Sequence, residues 1–319
     1  MPAAITLPAA IPMQAGPGPQ AEPVATPPQA LAAGLGRLPP GAVLLLAIVC
    51  VQLGSALATV LFSSLGPIGT ACASSLFSAL ALTAMTRPRV LFAQSGRLLR
   101  RHALLILGFG LVDVAMVLPF FLALERIPLG IASTVAFLGP LGLAVVTSRR
   151  LVHFLWIGIA AVGVALLTPE IGNNIDPLGL FYAAIAALAW AAFVPFSKKT
   201  GAVFPGNAGL ALAMWVSAAL LLPVAIAEGS LISASLGDIA GALGVSLVGT
   251  VLPLVLEFRA LQRMSARTYG ILVTLEPAVG ALVGLLLLGQ PASLRMVLAV
   301  ACVMLAALGV TLSDRREPH

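Results

Sequence analysis

The hydrophobic positions of this chain form long uninterrupted runs, without the alternation of a half-buried strand. From Gly41 onward the runs are about 20 residues long, the length that crosses a bilayer core as an α-helix. Short breaks marked by Gly, Pro or paired basic residues separate them, as at Gly66-Pro67 and Arg149-Arg150. We predict ten transmembrane helices, at residues 41–62, 66–85, 103–124, 128–147, 151–168, 177–197, 207–227, 236–258, 268–288 and 292–312.

The first 36 residues have a different pattern. Residues 1–36 are rich in Ala, Pro and Gly and carry a single charge, Glu22, which is typical of a disordered tail. A cleaved signal peptide begins with basic residues before its apolar core. Here the first basic residue, Arg37, follows the tail, so cleavage is not expected.

Composition agrees with a membrane protein. Hydrophobic residues make up 60% of the 319 and charged residues only 9%, whereas ordinary soluble domains have about 25% charged residues. Mean hydropathy is +1.09. The three cysteines, Cys50, Cys72 and Cys302, lie inside apolar runs and have neither metal-ligand nor disulfide spacing. We therefore expect neither a metal nor a cofactor.

The distribution of basic residues predicts the orientation of the chain. With the N-terminus placed in the cytoplasm, 15 of the 17 Lys and Arg residues fall in the inside loops, and only Arg126 and Arg295 fall outside. Positive charge is retained on the cytoplasmic side of membrane proteins, and one missed helix would invert every later loop. The pattern predicts a multi-pass protein of the bacterial inner membrane with both termini cytoplasmic. It also attributes the net charge of +6 to orientation rather than to nucleic-acid binding.

The two halves of the chain resemble each other. The sequence A-L-E-R-I-P at 123–128 resembles A-L-Q-R-M-S at 260–265, and without a gap Gly139-Pro140 then falls on Glu276-Pro277. Chance similarity between apolar helices is the alternative reading.

Two copies of five spans must be inverted relative to each other, because five is an odd number. We predict that residues 41–168 form the first five-helix repeat and residues 177–313 the second. Inverted repeats are a transporter architecture, in which the solute site lies at mid-membrane between the copies.

Few ionisable groups remain inside the spans. Asp113 lies midway along the third span and Glu276 midway along the ninth. A carboxylate in the bilayer core costs several kcal/mol unless it faces protein or water, so such residues mark functional sites. We hypothesise that Glu276, with Asp113, couples solute movement to protons. The candidate substrate-binding residues are Glu276, Asp113, Gln52, Trp190, Tyr269 and Thr268.

A second set of residues is predicted to have structural or coupling roles. Glu257, near the cytoplasmic end of the eighth span, has Arg263 and Arg267 within reach as ion-pair partners, which leaves it either a site residue or a strut. Pro140 and Pro277 each remove a backbone donor and loosen a helix. Trp190 lies mid-helix, where it lines a cavity or packs in the core.

Three motifs of the second half carry a family resemblance. They are L-P-x-x-L-E-x-x-A-L-x-R at 252–263, R-T-Y-G-x-L at 267–272 and E-P-A at 276–278. With them the chain resembles the EamA-type drug/metabolite transporters over residues 41–313, and within that superfamily the bacterial threonine/homoserine exporter group. The resemblance implies export of small amino acids or related metabolites, driven by protons or by exchange.

The first half matches that group less closely. Ala136 stands where the exporter group tends to carry a glutamate, Thr59 and Ser74 replace basic residues, and Val117 replaces a polar one. This apolar first half leaves an efflux carrier for hydrophobic drugs or lipids as an alternative.

Other classes have less support. An intramembrane enzyme would need a catalytic constellation, and the three histidines, His102, His153 and His319, lie at span ends or in the tail. A sensor or scaffold would need loops or a domain for its partners. The expected partners are the lipid bilayer and a small-molecule substrate. Gly280-x-x-x-Gly284 predicts close helix contact within the bundle, with self-association into a homodimer as the lesser alternative.

Overall fold

The computed structural model describes most of the chain after the predicted tail, and the described part is almost entirely α-helical. The tail, residues 1–36, lies outside the described residues. The described residues are 38–86, 100–147, 152–167, 175–204, 207–232, 234–263, 269 and 272–313.

Ten α-helices and one π-helical turn make up the described structure. The helices are α1 (Pro40–Thr86), α2 (Ala103–Leu124), α3 (Leu129–Thr147), α4 (Val152–Leu167), α5 (Pro177–Val203), α6 (Ala208–Ala227), α7 (Leu236–Ser246), α8 (Leu252–Arg263), α9 (Glu276–Leu287) and α10 (Leu294–Ser313). The π-helical turn, Leu247–Val251, joins α7 to α8 without a loop. Most helix ends lie within a few residues of the predicted ones.

The long first helix contains a break at the predicted position. Gly66 has φ 64° and ψ 172°, a backbone conformation that side chains with a Cβ rarely adopt, and Pro67 follows it. Residues 40–65 and 67–86 of α1 are therefore two helical segments in different directions. They correspond to the first two predicted spans.

Two features of the second half differ from the prediction. The segment predicted as a continuous eighth span includes the π-helical turn at Leu247–Val251. The ninth span is not continuous either, because Thr274 and Leu275 form a turn and α9 begins only at Glu276. Pro277 accounts for the second difference, since it has no N–H to donate to the preceding turn and favours the start of a helix.

Many large apolar side chains lie on the outside of the molecule. Leu104 is 84% exposed, Leu188 74% and Leu286 69%. Five of the described helices, at Pro40–Thr86, Ala103–Leu124, Pro177–Val203, Ala208–Ala227 and Leu236–Glu257, are long and apolar enough to cross a bilayer, and further apolar helices are shorter. Such surfaces are stable against lipid but not against water, so the chain is a multi-pass membrane protein.

Glycines allow the helices to approach closely at two places. A Cβ on Gly54 of α1 would lie 2.2 Å from the Cα of Gly249 in the π-helical turn. A Cβ on Gly139 of α3 would lie 1.9 Å from the carbonyl oxygen of Ala187 in α5. Neither distance leaves room for a side chain, so both contacts require glycine. Close packing through small residues replaces the hydrophobic effect as the force between helices in a membrane.

Two aspartates cap helices at one end of the molecule and tie neighbouring elements to them. Asp176 accepts hydrogen bonds from Leu178 N at 2.9 Å and from Arg126, at 2.8 Å, in the α2–α3 turn. The Arg126 guanidinium holds the pKa of the Asp176 carboxyl below its usual range. Asp238 forms a capping box with Ser235 and accepts a 2.6 Å bond from Ser64 of α1.

Candidate functional site

The break before α9 places Glu276 at the first turn of a helix that starts inside an apolar segment. The preceding residue, Leu275, provides no side-chain cap. A carboxylate at this position interacts favourably with the partial positive charge of the helix N-terminus. Glu276 is half-buried, whereas the following Pro277 is buried. The carboxylate that the sequence singled out is therefore at a helix end instead of mid-helix.

Gln52 joins the start of α9 to two other helices. Its side-chain amide donates to the carbonyl oxygen of Glu276 at 3.4 Å, and its Oε1 accepts from Ser133 of α3 at 3.3 Å. Gln52 is 1% exposed and Ser133 is 3% exposed. A Cβ on Gly280 would lie 2.9 Å from Ser133 Oγ and 3.2 Å from Gln52 Oε1, so the junction depends on glycine at that position. The result is a buried polar junction of α1, α3 and α9 beside Glu276.

A second carboxylate lies close to Glu276. Glu257 of α8 accepts a hydrogen bond from the Tyr269 hydroxyl, and the charges of Glu257 and Glu276 interact. Tyr269 also interacts electrostatically with Glu276. Two acidic groups and one phenol are thus gathered where the eighth and ninth predicted spans meet. The sequence left Glu257 as either site or strut, and this proximity favours the site.

The predicted arginine partners of Glu257 do not decide whether it is a site residue or a structural one. Arg263 is exposed at the end of α8, and Arg267 lies outside the described residues, as does Thr268. The hydrogen-bond partner described for Glu257 is Tyr269, which sequence reasoning had placed among the substrate-binding candidates instead.

Asp113 has a different environment. It is 2% exposed and accepts a 2.8 Å hydrogen bond from Ser217 of α6. The carbonyl oxygens of Gly110 and Ala213 also lie 3.1 Å from Ser217 Oγ, so the single hydroxyl proton has three acceptors within reach. Asp113 therefore fastens α2 to α6, and its described bond ties it to that pair of helices and not to Glu276.

The remaining predicted residues lie in apolar packing. Trp190 is half-buried and packs edge-on against Phe137. The two ring centroids are 6.2 Å apart and the ring planes are at 77° to each other. It borders a buried cluster that includes Leu141 and Val303. Pro140 lies inside α3, next to the Gly139 contact described above. Of the two roles left open for Trp190, the structure favours packing.

Sequence reasoning missed two members of the junction. Ser133 belongs to a Ser-Thr pair in an otherwise apolar run, which is a weak signal because such residues usually bond to their own helix. Neighbouring Thr134 does so, with the Gly130 carbonyl at 2.6 Å. Gly280 was predicted to allow close helix contact, without any link to Gln52 or Ser133. No group of three or more His, Cys, Asp or Glu in the described part of the chain has the arrangement of a metal site.

The arrangement suits recognition of a small polar solute with a positive charge. Two carboxylates provide acceptors for an ammonium group and the Tyr269 phenol provides a neutral hydrogen bond, while the buried Gln52–Ser133 junction holds the start of α9 in place.

Comparison with known proteins agrees with this reading. Residues 177–312 match the EamA-like transporter family. The chain is 33% identical over 280 residues to the threonine/homoserine exporter RhtA of Salmonella typhimurium strain LT2, an alignment that covers 87% of this chain and 92% of that one. It is 32% identical over 281 residues to RhtA of Escherichia coli K12, with 87% and 93% covered.

A solved crystal structure has the same fold. It covers 86% of this chain and 98% of its own, with a TM-score of 0.56 and 20% identity, a likeness that concerns the fold alone. The relatives named above are transporters and not enzymes. The family match, together with identity over most of the chain to the RhtA exporters, shows that this protein belongs to the EamA-like transporter family.

Proposed function

We propose that this protein is a secondary transporter that exports small hydroxylated amino acids of the threonine and homoserine class. The observation that carries the proposal is the gathering of Glu276, Glu257 and Tyr269 at a helix break beside the Gln52–Ser133 junction. An ammonium group suits the carboxylates, and a substrate hydroxyl suits the neutral donors. The RhtA relatives, named as threonine/homoserine exporters, support the same substrate class.

The proposal includes ten membrane crossings in two inverted repeats. The helix contacts support it, because equivalent spans of the two halves pack against each other: α3 against α9, α4 against α10, and α1 against α6. The α1–α6 contact includes Trp215 Nε1 donating to Thr83 at 3.1 Å. The packing of α2 on α5 is matched by that of α7 and α8 on α1, as a two-fold relation requires.

Transport is coupled to protons or to exchange of a second solute, with Glu276 as the group that binds substrate and proton alternately. A site between inverted repeats is alternately open to each side as one repeat rocks against the other. The two carboxylates repel each other when both are charged, so a proton or an ammonium ion at the pair is favoured.

The test is transport by the purified protein in proteoliposomes. Glu276→Gln keeps the size of the side chain but removes its charge, and we expect threonine and homoserine transport to fall about 10- to 100-fold, the worth of a charge-assisted hydrogen bond. Glu228→Gln, at an exposed position after α6, is the matched control and should transport normally. A Glu276→Gln protein with unchanged rate and pH response would refute the role of Glu276.

A second candidate function is efflux of hydrophobic drugs. Half-buried aromatic residues favour it: Phe193 and Phe196 of α5 pack on Phe109, with ring centroids 5.0 and 6.4 Å away. Overexpression in a sensitive host separates the candidates. Resistance to toxic threonine or homoserine analogues without resistance to cationic dyes supports the amino-acid exporter, and the reverse supports drug efflux.

A further inference from the structure

The start of α2, the end of α5 and the start of α6 meet at one corner of the molecule. This corner is distant in sequence from the acidic cluster. The ring of His102, just before α2, lies 6.4 Å from the ring of Phe204, just after α5, at an angle of 75°. Ile106, Phe204 and Ala208 belong to one buried cluster, which brings the start of α6 to the same place.

Four exposed cations lie close in sequence to His102 or Phe204, and together we call them the basic corner: Arg100, Arg101, Lys198 and Lys199. Their charge is not balanced by their own part of the chain, because residues 86–112 and 177–227 contain neither Asp nor Glu. Like charges this close in sequence and fold repel each other unless an anion lies between them.

The backbone adds to the positive potential. Both α2 and α6 begin at the corner, and neither of their N-cap residues, His102 and Asn207, makes a side-chain capping bond. By contrast, α5 and α7 are capped by Asp176 and Ser235. The first N–H groups of a helix have no partner within it, and two such ends side by side favour an anion with several acceptor oxygens.

A buried hydroxyl at the same place lacks a partner. Thr200 is 2% exposed, and among the described residues its Oγ1 has no hydrogen-bond partner. Its methyl carbon, Cγ2, lies 2.2 Å from where a Cβ on Gly209 would be, so the methyl group rests on the first turn of α6 and the hydroxyl lies beside that contact. A buried hydroxyl without a partner costs free energy, and an acceptor at the α6 N-terminus would remove that cost.

An apolar stripe leads away from the corner along α2. Leu104, Leu107 and Leu111 are 84%, 52% and 59% exposed, and their spacing of three and four residues places them on one face of the helix. A free phosphate ion does not bind to an apolar surface. The acyl chains of a lipid pack against one, and these leucines lie directly below the position of a headgroup bound by the cations.

We propose that the basic corner binds the phosphate headgroup of an anionic phospholipid, with its acyl chains along the exposed leucines of α2. The phosphate oxygens accept from the four cations and from the N–H groups at the starts of α2 and α6. By the charge distribution of the loops, the corner lies in the cytoplasmic leaflet, whose anionic lipids attract basic residues. The lipid would hold together the two repeats, because α2 belongs to the first and α5 and α6 to the second.

The test compares thermal stability and retained lipid in full-length protein reconstituted into nanodiscs. The membranes contain phosphatidylglycerol in phosphatidylcholine, or phosphatidylcholine alone, the latter with and without inorganic phosphate. Of the three conditions, we expect only the membrane that contains phosphatidylglycerol to raise Tm. High salt should reduce this increase in Tm. In native mass spectrometry, Lys198→Gln/Lys199→Gln should retain less phosphatidylglycerol, by about fivefold per cation removed.

The controls keep the result interpretable. Arg295→Gln removes an exposed cation elsewhere and should keep the full lipid effect. Thr200→Val, which keeps the shape but removes the hydroxyl, should bind phosphatidylglycerol more weakly while remaining folded. An equal Tm shift in phosphatidylcholine with inorganic phosphate would overturn the lipid assignment. Loss of lipid retention in Arg295→Gln, or full retention in the Lys198/Lys199 variant, would overturn the site.

Discussion

At the scale of single residues, the membrane-embedded carboxylates differ in their partners. Asp113 accepts from Ser217, whose hydroxyl also has two backbone carbonyls within reach, and its 2% exposure gives a solute little access. Glu276 is half-buried and lies near a second carboxylate instead. The first environment fastens helices together, whereas the second favours a bound cation or proton. The sequence alone paired the two residues in one coupling role.

The distinction gives a prediction for Asp113. Asp113→Asn retains an oxygen that accepts from Ser217, so we expect the variant to fold and to transport at close to the normal rate. Asp113→Leu removes the link between α2 and α6 but leaves Ser217 the Gly110 and Ala213 carbonyls as acceptors, so it should lower stability by about 0.5–1.5 kcal/mol. Proteoliposome transport and thermal unfolding in detergent measure the two effects. A large loss of transport in Asp113→Asn at normal stability would restore Asp113 to the coupling site.

At the scale of helices, interruptions and close contacts determine where polar groups meet. Gly66 redirects α1, and the turn before Glu276 interrupts the ninth predicted span. Close approach of α1 to the π-helical turn depends on Gly54 and Gly249, whose backbones are in contact. Because backbone atoms cannot move aside as a flexible side chain can, this contact is sensitive to the addition of a single methyl group.

A glycine pair tests this packing. Gly54→Ala would place its Cβ 2.2 Å from Gly249 Cα, so we expect a loss of about 1–3 kcal/mol in the free energy of unfolding, as for other overpacked sites. Gly158→Ala is the matched control, since no atom lies within 4 Å of its added Cβ, and should be neutral or stabilising by up to about 1 kcal/mol. Equal Tm values for the two variants in detergent would contradict the contact.

The Asp176 N-cap predicts a pH dependence. The pKa of Asp176 is lowered in the folded protein by its hydrogen bonds from Arg126 and from Leu178 N, so its contribution to stability is present above its ordinary pKa of about 3.9. That contribution is lost as the pH falls through the lowered folded value. Asp176→Ala should therefore lower Tm at pH 7, and the difference from the native protein should shrink in strong acid.

The control for this series is Glu228→Ala, at an exposed helix end. It should have nearly the same Tm as the native protein throughout. A Tm difference for Asp176→Ala that grows on acidification would contradict a lowered pKa of Asp176 in the folded protein.

At the scale of the whole molecule, the helix contacts bring α3 against α9 and α4 against α10. In the proposed pair of inverted repeats, the acidic cluster of the second repeat lies against Gln52 and Ser133 of the first. Relative movement of the repeats would then change the surroundings of Glu276 directly. The basic corner also joins helices of both repeats, so a lipid bound there would act on the same movement.

Orientation in the membrane is tested by cysteine labelling. In a background with Cys50, Cys72 and Cys302 replaced by alanine, we expect Glu228→Cys to react with an impermeant maleimide in intact cells. Lys198→Cys should react only after the inner membrane is permeabilised. Both positions are exposed, which makes access comparable. Labelling of Lys198→Cys in intact cells would refute the predicted orientation.

The sequence by itself determined the membrane class, most helix ends and the family. Apolar runs and their Gly/Pro breaks are local signals, because a helix in lipid satisfies its own backbone hydrogen bonds and needs no partner to exist. The break at Gly66 and the start of α5 at Pro177 were predictable for the same reason. The carboxylates were found because each one in a lipid-crossing segment is costly wherever it is placed.

Only the tertiary structure decided which polar groups meet. The junction of Gln52 with Ser133 joins residues 81 positions apart, and its bond to Glu276 spans 224 positions. Glycines such as Gly280 are silent in a hydropathy pattern, yet they determine how closely two helices approach. Contacts of this kind depend on three-dimensional packing, and a linear pattern of apolar residues, nearly the same on every face of these helices, does not encode which face turns inward.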